Sequence, residues 1–67
     1  MTTTTLPASD LRILTADIRR ARTADRDLTA QRVARRYYGA AAQYPTCDRD
    51  RANLRAVRAL VDQVRDA

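Results

Sequence analysis

The residues with most chemistry to offer are arginines at helical spacing. Arg51, Arg55 and Arg58 recur at intervals of four and three, which places all three on one face of a helix. Arg32, Arg35 and Arg36 form a second set. A guanidinium is planar and permanently charged, and its fixed fork of N–H donors suits phosphate or the O6 and N7 of guanine. All 13 basic residues among the 67 are arginine and all 8 acidic residues are aspartate, leaving a net charge of +5. Such an excess attracts polyanions through the summed field of the molecule.

Other chemistries are largely excluded. There is no histidine, so imidazole acid–base catalysis and the commonest metal ligand are missing. Cys47 is the single thiol, which forms no internal disulfide and no zinc cluster. It reads as a small residue at a helix start, with a redox role left open. One glycine, Gly39, cannot build a phosphate loop. These absences point to a binding protein rather than an enzyme, without cofactor or metal. The start Met1–Leu6 is polar and uncharged, unlike a secretory leader, and no apolar run approaches the roughly 20 residues of a membrane span. The expected setting is the cytoplasm. The Arg, Ala, Asp, Thr and Val bias suggests a GC-rich genome of bacterial, plasmid or phage type.

Such side chains need a scaffold, and the chain has little material for one. Leu, Ile and Val make up 12 residues, with no Phe or Trp, while 13 alanines favour helix. No period-two run or hairpin turn is present, so the expected fold is all-α: a flexible tail over 1–7 and one three-helix domain over 8–67. Ser9 caps a first helix over about 9–24, whose apolar stripe is Leu11, Leu14, Ile18 and Ala21. Ile13 falls off that stripe. Thr29 caps the second helix, with Leu28 stapled onto Val33, and Ala30, Val33, Ala34, Tyr37 and Ala41 share its inner face. Gly39 stops it, unless the alanine run carries helix to about Gln43 before Tyr44–Pro45 ends it. Thr46 and Asp48 compete to cap the third helix, whose stripe is Leu54, Val57, Leu60, Val61 and Val64. Arg51, Arg55, Arg58 and Arg65 lie opposite that stripe.

The run Leu28-Thr-Ala-Gln-Arg-Val-Ala-Arg-Arg-Tyr-Tyr-Gly39, then Pro45-Thr46, then Ala52-Asn-Leu-Arg-Ala-Val-Arg-Ala-Leu60 resembles a known pattern. It is similar to the helix-turn-helix core of winged-helix DNA-binding domains of high-GC bacteria, their plasmids and phages, without the wing. The resemblance covers about residues 28–64. It implies a small DNA-binding protein for transcription regulation or plasmid and phage maintenance, with double-stranded DNA as partner and helices two and three as the helix-turn-helix pair.

On the residues themselves, Arg51, Arg55 and Arg58 then contact bases from the N-terminal half of the third helix. Arg32, Arg35 and Arg36 contact phosphates, and Tyr38, near the edge of its face, either does so through its hydroxyl or covers the rim of the core. The competing reading of the third helix is a solvated face with Asp partners, Arg58–Asp62 among them. Leu6 and Ile13 are candidate interface residues, for a homodimer or for a protein partner. The alternative function is a helical protein-interaction module, such as a phage or mobile-element inhibitor or adaptor that meets an acidic or apolar protein surface.

Overall fold

A computed structural model describes residues 6–67, so the tail expected over 1–7 lies outside the described residues except for Leu6 and Pro7. The described chain is all-α, with four helices where three are expected: α1 (Ala8–Arg20), α2 (Arg26–Tyr38), α3 (Ala40–Gln43) and α4 (Asp48–Asp66). No described helix is long and apolar enough to cross a membrane.

α1 starts one residue before the expected cap. Pro7, unable to donate but free to accept, takes the N–H of Leu11 on its carbonyl at 3.0 Å, and Ser9 makes no capping bond. The helix also ends earlier than position 24. Ala21 is extended, and the following turn is tied down from elsewhere, the Thr23 carbonyl accepting from Arg65 of α4 at 2.8 Å.

The cap of α2 is Asp25, not Thr29. Its carboxylate accepts the Leu28 N–H at 3.0 Å, as an N-terminal aspartate should. Thr29 lies one turn inside the helix, fully buried, its hydroxyl donating to the Asp25 carbonyl at 2.8 Å. The earlier start moves Leu28 out of the staple position. Gly39 then breaks the helix with φ 109° and ψ 174°, a conformation essentially reserved for glycine. Both readings of this stretch hold in part, because α2 stops at Tyr38 and a separate turn, α3, continues to Gln43.

Cys47 precedes α4 in place of the expected Thr46 or Asp48. Its carbonyl accepts from the Arg51 N–H at 3.0 Å, and its thiol donates to Asp50 at 3.2 Å. Asp48 and Asp50 occupy the first turn, where the helix dipole favours negative charge.

The core follows the expected stripes in their central parts. Leu14 and Ile18 of α1, Ala30, Val33 and Ala34 of α2, Ala42 of α3, and Val57 and Val61 of α4 are buried together. Leu6, Tyr37, Tyr38, Leu54, Leu60 and Val64 pack around them, half-buried. Leu11 leaves the stripe and is exposed. With so few large side chains, Ala30, Ala34 and Ala42 let the helix backbones approach closely and close the core.

Candidate nucleic-acid interface

The arginines of α4 divide sharply by what they touch. Arg58 donates from Nε to Asp27 of α2 at 2.7 Å and from Nη1 to Asp62, four residues on. Arg26, the first residue of α2, reaches Asp62 at 2.8 Å and grips Asp66 through both terminal nitrogens, at 2.6 and 3.1 Å. Five charged groups thus clamp the start of α2 to the C-terminal half of α4. The guanidinia of Arg26 and Arg58 hold Asp62 below the usual carboxylate range, and Arg26 does the same for Asp66. In return, the carboxylates raise the pKa of Arg26 and Arg58 further.

Arg51 is tied locally, to Asp48 at 3.2 Å and the Thr46 carbonyl at 3.4 Å. Arg65, expected opposite the apolar stripe, instead turns inward to Thr23 and Thr29. Arg55 is exposed and, among the described residues, has neither an ion pair nor a hydrogen bond. The three expected base-contacting residues do come together, but around a cleft instead of on a free outer face. Arg51, Arg55 and Arg58 rim an open cleft of about 420 Å³ between α2 and α4, floored by Ala30, Leu54 and Pro45 and flanked by Gln31 and Asp27. The solvated-face reading correctly pairs Arg58 with Asp62, while the pairing to Asp27 spans 31 residues and has no local signature.

The expected phosphate set is placed unevenly. Arg32 is exposed and, among the described residues, unpaired. Arg35 reaches Gln43 only at 3.5 Å, and Arg36 lies 4.0 Å from Asp17 of α1. Tyr38 is a correction: its hydroxyl is buried and, among the described residues, has no hydrogen-bond partner, so it does not face a phosphate. Its ring stands edge-on to Tyr37, with centroids 4.8 Å apart. Burial, helped by the Asp10 charge, raises the Tyr38 pKa. Tyr37 directs its phenol at the Asp10 carboxylate, which with desolvation pushes its pKa up to about 12.

The candidate contact pair also separates. Leu6 is half-buried against the core, whereas Ile13 remains 52% exposed. The exposed apolar companions that periodicity misses are Leu11 and Tyr44.

Charge is distributed unevenly along the chain. Residues 1–43 hold eight arginines against four aspartates, and residues 44–67 hold five against four. Nearly all of the positive excess therefore sits on α1, α2 and their connection. Arg20 of α1 joins Arg32 and Arg36 there, around Asp17. Neither Arg20 nor Asp17 stands out in the sequence, because the relation that matters crosses between helices. No family model, curated protein or solved structure matches this chain.

Proposed function

We propose that this chain is a small DNA-binding protein of the regulatory or plasmid and phage maintenance kind. In this reading α2 and α4 act as a helix-turn-helix-like pair, and the N-terminal half of α4 enters the major groove. The observation that carries it is Arg55. This guanidinium is exposed, unengaged among the described residues and set between Ala52, Ala56 and Ala59, small residues that permit close approach to base edges. Arg51 flanks it with a single local carboxylate. Arg58, held by Asp27 and Asp62, positions α4 and does not read a base. Arg32 and Arg36 take backbone phosphates, which fix register without reading sequence. One face of this size makes a short site, so two copies on adjacent half-sites are part of the reading, with Ile13 as the contact.

The test is fluorescence polarisation of labelled random duplex at two salt concentrations. Binding that survives near physiological salt and drops on Arg55→Ala supports the assignment. An unchanged affinity in that variant removes it.

A second reading has its own observation. The α2–α4 cleft sets an apolar floor of Ala30, Leu54 and Pro45 beneath three guanidinia, which fits an acidic segment with an apolar anchor from a partner protein. It expects duplex binding to vanish near physiological salt and an acidic amphipathic peptide to compete for the cleft.

A further inference from the structure

We infer that the joint between α1 and α2 is a phosphate-binding cleft built by Arg20, Arg32 and Arg36 over Asp17, and that its ligand is a backbone phosphodiester of nucleic acid. The inference rests on the DNA-binding reading for its ligand, but its site lies on helices other than α4. The cleft is small, about 180 Å³, with Val33 and Thr29 at its base.

The geometry of the charges sets it apart from the clamp at the other end of α2. There, guanidinium and carboxylate approach to 2.6–2.8 Å and engage each other's hydrogen-bonding groups. Here, Asp17 is nearly buried, its side chain 15% exposed, and lies 3.8 Å from Arg20 and 4.0 Å from Arg36. These separations exceed the 2.7–3.2 Å range of a hydrogen bond, so Asp17 attracts both cations without occupying their donors. Arg20 and Arg36 keep their side chains about three-quarters exposed, and Arg32 has no partner among the described residues. Three guanidinia over one recessed carboxylate leave a local excess of two positive charges with free N–H forks, the requirement for charge-assisted bonding to phosphate oxygens. Arg20 brings α1 into the interface, which the spacing of the α2 arginines alone does not suggest.

The test compares two charge-matched double variants in duplex binding across a salt series. Each phosphate contact contributes about 0.9 to the slope of log affinity against log salt, so Arg20→Gln with Arg32→Gln should lower the slope by about two units. Arg12→Gln with Arg19→Gln removes the same charge from exposed positions of α1 outside the cleft and should leave it nearly unchanged. Equal losses from both pairs mean a diffuse basic surface and overturn the cleft, as does an unchanged slope in the first pair.

A second readout does not depend on DNA. Titration with inorganic pyrophosphate, followed through the arginine Nε–Hε resonances, should give saturable shifts at Arg20, Arg32 and Arg36. Linear, unsaturated shifts overturn the site. Saturation by pyrophosphate in a chain that fails to bind duplex supports the phosphate cleft and overturns the DNA reading instead.

Discussion

Arg65, near the C-terminus of α4, donates to the carbonyl of Thr23 at 2.8 Å and to the hydroxyl of Thr29 at 3.2 Å. That hydroxyl in turn donates to the Asp25 carbonyl, so one buried threonine joins the last turn of α4 to the start of α2. The link spans 36 residues and closes the helical assembly on itself.

Replacing Thr29 by Val keeps its shape and removes both hydrogen bonds. Arg65 keeps the Thr23 carbonyl and the Asp25 carbonyl keeps the Thr29 N–H, so each lost bond costs its net worth, about 0.5–1.5 kcal/mol. At roughly 4–8 °C per kcal/mol for a domain of this size, thermal unfolding followed by circular dichroism should show a clear drop in Tm. Asp25→Ala, which removes the cap, should cost about 1 kcal/mol. Comparable melting of wild type and Thr29→Val would refute the buried link.

The start of α2 shows how far local rules reach. Asp25, Asp27 and Thr29 all satisfy the preferences of a helix cap, and Leu28 before Thr29 completes a plausible staple. Asp25 is the cap while Thr29 lies buried with Arg65 on its hydroxyl, a contact that no window of neighbouring residues contains. The central stripes, Leu14 with Ile18 and Val57 with Val61, are legible because helical periodicity is itself local. The same periodicity correctly groups Arg51, Arg55 and Arg58 yet cannot reveal that Asp27 holds Arg58 or that Arg65 turns inward. For Tyr38, an edge position on the helix fits either the rim of the core or a phosphate contact, and only the packing against Tyr37 and the core decides for the rim.

The clamp formed by Arg26, Arg58, Asp27, Asp62 and Asp66 should make stability fall in acid. Asp62 and Asp66 have folded-state pKa values below their unfolded ones. Their contribution is therefore present above the ordinary carboxylate pKa, about 4, and lost as pH falls through the depressed folded values. Tm measured from neutral pH downward should decline in this window, and Asp62→Asn should flatten the decline. High salt should weaken the exposed pairs and lower the neutral-pH plateau.

Arg55 and Arg58 should separate binding from folding. Arg55→Ala is expected to leave Tm unchanged and to cost about 1–3 kcal/mol on a preferred duplex while relaxing base choice at one position. Arg58→Ala should lower Tm, because Asp27 and Asp62 lose their shared cation. Calorimetry beside polarisation measures both; a reversed pattern would exchange the two roles.

The tyrosine pair offers a fourth check. Ultraviolet difference titration should show Tyr37 releasing its proton only near pH 12, and Asp10→Asn should bring that step down. Since the folded pKa is raised, the associated stability is present below the unfolded value, about 10, and is lost as pH climbs through 12. Tyr38→Phe removes a buried hydroxyl that has no partner among the described residues, so Tm should hold steady or rise by a few degrees. A fall in Tm would mean that the hydroxyl is satisfied.

The two-pronged grip of Arg26 on Asp62 and Asp66 has a consequence for how this chain tolerates change. Lysine matches the charge of arginine but presents a single compact ammonium, which cannot reproduce a fork spanning two carboxylates. Arg26, Arg58 and Arg65 are thus held by the shape of their side chains, whereas Arg12, Arg19, Arg22 and Arg49 offer the solvent little beyond charge. A library in which each position chooses between Arg and Lys should sort the thirteen arginines into two populations under thermal selection alone. Lysine would spread freely across the outer positions of α1 and be rejected where α2 meets α4.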